Sequence, residues 1–410
     1  MSIQAEQYEY KNPFIIPRDV QDGLSSDSLR RFIIEKKINK PYRGGDKRDR
    51  VRLIQEAINN KIISEHDLEV FVSKELKRGK NRTLYICELK YESIRKLQSF
   101  LYIQSKLFEN GIKSISTSEI LKSTRPASPK LAHLNIVRDH DVVHCVSFCY
   151  THKVNLKKFS TDAPPQFDTD FVWIEIDLIK GMVIFRLRER NNSFGKSNDK
   201  ALFLHYLNQM KLMFDIQTEG AIVHRNTLFK IFRELTAKAE EPFRKKTAVL
   251  NNDIEILTSN CIEKLPLKDY KIIEDFRERL EGLILRSMIQ ENFLEYSSYS
   301  EGKRGLIDRY YYTDGTGASV NAKTGDENRS ISLYQIYLDT KHSIDKMQLI
   351  DKLWVTWYRK KDNLSPLEKI RTKLEVFKEC YTIHFLYDHH KEEVENHVFS
   401  EFNAFEELQD

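Results

Sequence analysis

Residues 171 to 190, FVWIEIDLIKGMVIFRLRER, constrain the fold more tightly than any other stretch of the chain. Leu178 to Gly181 read as a turn, and with Asp177 opposite Met182 the segment becomes a β-hairpin. Strand side chains alternate between faces, so Val172, Ile174, Ile176, Val183, Phe185 and Leu187 share one wholly apolar face. That face belongs in a core.

The opposite face carries Phe171, Trp173, Glu175 and Asp177 against Ile184, Arg186, Arg188 and Arg190. The register sets Trp173 beside Arg186 and Phe171 beside Arg188. Two structural readings fit. Arginine stacked on an exposed aromatic ring is worth roughly 0.5 to 1 kcal/mol; alternatively, helices of residues 198 to 298 bury this face, with Glu175 and Asp177 paired to the arginines. The functional reading makes Trp173, Arg186, Arg188 and Arg190 a secondary binding face, aromatics stacking unpaired bases while arginines hold the backbone. The two acids weigh against it.

A chain of 410 residues exceeds what one hydrophobic core usually organises, so several domains are expected. The pattern predicts an α+β protein: a small helical N-terminal domain, then a larger mixed domain with a mainly antiparallel sheet and packed helices. Residues 1–23 read as an extended arm, 24–121 as a helical basic domain, KSTRPASPK (122–130) as a linker, and 131–410 as the α+β domain. Within that domain 131–190 is β-rich, 198–298 helical, and 300–410 holds a long-looped hairpin and a C-terminal helix. The expected hairpin joins GLIDRYYYT to SISLYQIYLDT. Among the N-terminal helices, Ser64 with Asp67 resembles a capping box and Gly79 stands where that helix should stop. A further helix over about 88–109 is expected to turn Ile94, Leu97, Leu101 and Phe108 inward.

No window approaches the roughly 18 uninterrupted apolar residues of a membrane span, and the first residues lack a secretory pattern. A cytoplasmic protein without membrane contact is expected. Five scattered cysteines fit reduced thiols.

Charge is unevenly spread. Residues 30–52 hold ten Lys or Arg against three acids, whereas residues 391–410 hold seven acids against Lys391. The basic segment SDSLRRFIIEKKINKPYRGGDKRDRVRLIQEAI (26–58) runs short helix, loop with Pro41 and Gly44-Gly45, basic second helix. It resembles a SAP module, with Leu29, Phe32, Ile33, Ile38, Gly45, Lys47, Val51 and Ile54 in comparable places. The resemblance covers about 33 residues and implies DNA binding. Independently of it, Lys40, Arg43, Lys47, Arg48, Arg50 and Arg52 cluster around a loop and a helix start, where free amides and the dipole suit phosphate. Asp46 and Asp49 dilute the patch, and an ordinary solvated helix face is the plain alternative.

Catalytic signals are weak. Asp168, Asp170, Glu175 and Asp177 could hold a divalent metal for a nuclease, but an acid and a base two residues apart on one strand are missing. His140, His144, Cys145, Cys149 and His152 are dense, yet wrongly spaced for zinc, and read as strand residues. DGTG (314–317) is a hairpin connection, beside which Asp308, Arg309 and Tyr310 to Tyr312 could line a pocket. No cofactor or metal site is expected. The expectation is a non-catalytic nucleic-acid-binding protein, with DNA gripped through residues 26–58. It would belong to a larger assembly, with a protein partner at the acidic C-terminal helix. The alternatives are a scaffold subunit without nucleic-acid contact and a metal-dependent nuclease.

Overall fold

The hairpin forms in the register its alternation dictates: Asp177 pairs with Met182, Ile176 with Val183, Ile174 with Phe185 and Trp173 with Arg186. The computed structural model describes residues 13–38, 45–79, 82–114, 117–122, 128–156, 166–189, 198–264, 269–298, 304–360, 366–386 and 391–408. They divide into two units, one within residues 13–218 and the other within residues 219–386 and 391–408. The architecture is α+β, with helices packed on antiparallel strands. Among the described residues no helix is long and apolar enough to cross a membrane.

The first unit opens with four helices, α1 (Arg18–Gly23), α2 (Ser26–Glu35), α3 (Lys47–Asn59) and α4 (Glu65–Arg78). Ser64 and Asp67 cap α4 reciprocally, and Asp46 and Asp49 do the same for α3. Next come β1 (Arg82–Glu88), α5 (Tyr91–Leu97) and α6 (Phe100–Glu109). Then follow β2 (Thr117–Ser118), β3 (Lys130–Asp139), β4 (Val142–Leu156), β5 (Gln166–Asp177), β6 (Met182–Arg188) and α7 (Asp199–Phe214). The strands lie in the order β2-β3-β4-β5-β6-β1.

One face of these strands carries Phe185 and Phe148 against Phe203 and Phe214 of α7, with ring centroids 5.3 and 5.9 Å apart. The opposite face is the floor of the N-terminal helices. Phe171, Trp173, Cys149 and Ala132 share one buried cluster with Leu29, Phe32, Ile54, Leu68 and Val72. The hairpin's mixed face is therefore buried, but under α1 to α4 and not under the helices of 198–298.

Two local expectations are corrected. Residues 82–88 form a strand paired with β6 inside the region read as helical; the run TLYIC is buried on both faces and so shows no alternation. The helix expected over 88–109 is two helices, interrupted where Ser99 caps α6. The break changes the phase, so Phe100, Ile103 and Leu107 point inward while Leu101 and Phe108 are each 69% exposed.

The second unit begins with α8 (His224–Ala237), α9 (Glu241–Thr247), α10 (Asn251–Lys264), α11 (Tyr270–Glu291) and α12 (Phe293–Ser298). It continues through β7 (Gly305–Thr313), β8 (Ser319–Lys323), α13 (Gln335–Met347), β9 (Lys352–Arg359), β10 (Glu368–Val376), β11 (Tyr381–Phe385) and α14 (Glu392–Glu406). Its strands run β11-β10-β9-β7-β8. α8 covers one face, with Phe232 5.2 Å from Tyr310, and α14 packs Phe405 on Trp357 at 6.4 Å.

Here the expected long-looped hairpin is corrected. The partner of β7 is SVNAK, reached by a tight turn in which the Asp314 side chain accepts from the amides of Thr316 and Ala318. SISLYQIYLDT instead becomes a short 3-10 turn and the start of α13, because Tyr337, Lys341 and Ile344 bury at helical spacing.

Candidate nucleic-acid interface

The basic segment is only partly a free surface. Lys40 and Arg43 lie outside the described residues. Arg50 holds the fold together, since its guanidinium donates to the Ser26 carbonyl at 2.9 Å and to the Ser26 hydroxyl, tying α3 to the start of α2. Arg52, on an exposed side of α3, lies within 3.9 Å of Asp49 and 3.7 Å of Glu56. Amides at the helix start are already engaged, since the Asp46 carboxylate accepts from Asp49 N at 3.0 Å. Asp46 is held below its usual pKa, first by that amide hydrogen bond and less by Arg48 and Arg50. A phosphate would therefore meet side-chain cations here before it met open amides.

Two sets of residues that are distant in sequence do come together. Lys47, in the first turn of α3, is half-buried, and its ammonium pKa is lowered by burial. Asp22 offsets this in part, and the like charge of Arg188 at the end of β6 lowers it again. Arg188 in turn stands opposite Arg82 in the β1–β6 register. Arg82 is buried and its guanidinium lies 3.7 Å from the Asp170 carboxylate. Lys47 therefore feels both Asp22 and Arg188, and exposed Arg48 is next along the chain. Arg190 lies outside the described residues.

The remaining members of the hairpin face are interior groups. Trp173 is 3% and Arg186 2% exposed. Arg186 donates to Glu175 at 2.5 Å, and Lys77 of α4 reaches the same carboxylate at 2.8 Å. The His133 ring lies 5.3 Å from that of Trp173. The described β5–β6 register opens at Trp173–Arg186, and Phe171 sits opposite Thr151 of β4.

The four acids do not converge. Alternation sends Asp168 and Asp170 to one face of β5 and Glu175 and Asp177 to the other. Asp177 accepts the turn amides of Ile179 and Lys180 at 3.1 and 2.9 Å, which is the chemistry of a hairpin turn. In the His and Cys stretch, His140 occupies the left-handed position of the β3–β4 turn (φ 52°), while Cys149 is buried against the N-terminal helices. Burial, aided by Glu175, pushes the Cys145 thiol up to about 11. A neutral thiol of that kind is a poor metal ligand.

A grouping not visible in the sequence is Asp275, Glu278 and His342 in the second unit, whose ligand atoms approach within 4.8 Å of one another. Its Asp275 is already engaged by the protein's own donors. Asp275 accepts from Lys346 at 2.7 Å, Arg279 at 2.7 Å and His342 at 2.9 Å, and these hold its carboxyl far below the ordinary range.

The acids of α14 are likewise engaged by their own unit: Glu401 with Arg304 at 2.7 Å and Glu393 with Arg359 at 3.3 Å. No protein-family model matches the chain, and no curated protein matches it.

Proposed function

We propose that this chain is a non-catalytic nucleic-acid-binding protein, with DNA as its ligand, that works within a larger assembly. The observation that carries the reading is half-buried Lys47, whose ammonium feels the like charge of Arg188 and has exposed Arg48 next to it in the chain. Asp22 offsets the burial of Lys47 only in part, and a phosphate backbone supplies further anions in a row. The succession of α2 and α3, joined by a basic stretch of sequence, fits the resemblance to SAP modules. Engagement of the β5 acids on opposite faces favours binding over hydrolysis. Leu101 and Phe108, seven residues apart and exposed on α6, fit a protein contact better than the self-paired acids of α14 do.

Fluorescence anisotropy with labelled duplex DNA, at several salt concentrations, tests this reading. A Lys47→Ala, Arg48→Ala, Arg188→Ala variant should lose affinity at least tenfold and flatten the salt dependence. Each phosphate that is no longer neutralised should take roughly 0.9 from the logarithmic slope. Equal binding by variant and wild type would overturn the proposal.

A further inference from the structure

The second unit has a sheet face whose chemistry the sequence order conceals. Between Ile307 and Arg309 the β7–β9 ladder slips by one residue, so that Ile307 pairs with Val355 but Arg309 pairs with Trp354. Without this bulge Asp308 would oppose Trp354. With it, Asp308 is buried at 2% exposure, and Arg309 is delivered onto the same face as Trp354 and Tyr311. Tyr310 and Tyr312 go to the other face, into the core.

Following the registers strand by strand gives one row across the face: Lys323 of β8, Arg309 of β7, Trp354 of β9, Lys373 of β10 and His384 of β11. With neighbouring strands roughly 4.8 Å apart, the row is about 19 Å long. At the roughly 3.4 Å rise of a stacked strand, that is room for about five nucleotides. The aromatic ring at its centre is already set among cations. The Arg309 guanidinium lies 4.2 Å and the Lys373 ammonium 5.6 Å from the Trp354 centroid, and beside them Lys352 lies 5.3 Å from Tyr311. Side chains also fix one another, as Arg309 Nε donates to Asn321 at 3.0 Å and Tyr311 OH to Ser319 at 2.9 Å. Trp354, Tyr311, Arg309, Lys373 and Lys352 are all half-exposed, and Lys323 is exposed. Glu375 offsets two of the lysines, leaving Lys323 and Arg309 as the row's outer positive charges.

We infer that this face binds single-stranded nucleic acid, unpaired bases stacking on Trp354 and Tyr311 while Lys323 and Arg309 meet the phosphates. Charge complementarity selects a polyanion, and rings held ready among cations select one with planar groups to offer. A duplex keeps its bases stacked inside and would use only the charges. Lys47 and Arg188 take no part in this face.

The test titrates the full chain with fluorescein-labelled oligo(dT), oligo(U) and duplex DNA, and follows tryptophan fluorescence in parallel. Trp173 and Trp357 are buried, so quenching by added bases reports Trp354. Trp354→Ala should weaken oligo(dT) binding between about fivefold and a hundredfold and remove the quenching, with a smaller effect on duplex. Trp354→Phe, which keeps a ring, should retain most of the affinity. The Lys47→Ala, Arg48→Ala, Arg188→Ala variant should keep both oligo(dT) binding and quenching. Should Trp354→Ala unfold by circular dichroism, Lys323→Ala at the exposed end of the row decides instead, with a severalfold loss expected. Preference for oligo(U) over oligo(dT) assigns RNA and the reverse assigns DNA. Absence of quenching in the wild type, equal oligo(dT) binding by Trp354→Ala and wild type, or loss confined to the Lys47 variant overturns the inference.

Discussion

Arg186 and Glu175 form a pair inside the first unit, 2.5 Å from nitrogen to oxygen, with the arginine 2% exposed. Lys77 completes it from α4 at 2.8 Å. Burial lowers the Lys77 pKa and Arg186 lowers it further, whereas Glu175 opposes both. One carboxylate therefore stabilises two cations between the β5–β6 hairpin and the helices that cover it.

Glu175→Gln keeps the shape of the side chain and removes the negative charge that Arg186 and Lys77 share. Breaking a buried pair in this way costs about 3 to 5 kcal/mol. Glu175 keeps 17% exposure, so the lower end is expected. Urea unfolding should register a loss of about 3 kcal/mol, and adding Lys77→Met should restore part of it. A loss below about 1 kcal/mol would mean that water reaches the pair and screens it.

Asp308 gives a pH dependence of defined sign. Burial raises its carboxyl pKa above the ordinary value, although Arg371, at 3.0 Å, pulls the other way. A carboxyl that binds its proton more tightly when folded contributes stability that is fully present below the unfolded value of about 3.9. That contribution is lost as pH rises through the folded value. Asp308→Asn removes the titration. The stability difference between wild type and Asp308→Asn, from urea midpoints at steps between pH 3.5 and 7, should therefore shift against the wild type as pH rises. A difference that moves in favour of the wild type over that range would show that Arg371 outweighs burial.

How much of the fold and of the binding faces was legible in the sequence depends on the reach of each interaction. The hairpin turn, the Asp177–Met182 register and the Ser64–Asp67 cap are local, and side-chain alternation or spacing is enough to read them. The cover of the hairpin's second face was not, because Trp173 meets Leu29 and Val72 across a hundred or more positions and nothing in 171–190 names its partner. The row through Trp354 was hidden for another reason. Simple alternation groups Ile307, Arg309 and Tyr311 on one face, and only the bulge separates the first from the other two. Likewise the influence of Arg188 on Lys47 links positions 141 apart in the chain, which neither segment encodes alone.

The same ladder supplies a stability prediction at Gly305. This residue pairs with Trp357 at the start of β7, and a Cβ added there would lie 2.6 Å from the Thr356 carbonyl oxygen and 3.3 Å from Trp357 Cα. Both obstacles are backbone of the neighbouring strand, so no side-chain rotation relieves them. β7 would have to move away from β9, weakening the register that continues to Arg309 and Trp354. Gly305→Ala should cost about 2 to 3 kcal/mol, as overpacking at a rigid contact does. A second glycine separates this from backbone strain. Gly317 has φ 93° and nothing within 4 Å of an added Cβ, so Gly317→Ala should cost only the roughly 1 to 2 kcal/mol of a left-handed alanine. Hydrogen exchange distinguishes them further: protection should fall along β7 and β9 in Gly305→Ala, and only around the 314–318 turn in Gly317→Ala. Unchanged β9 protection in Gly305→Ala would mean that the strand absorbs the methyl group without yielding its register.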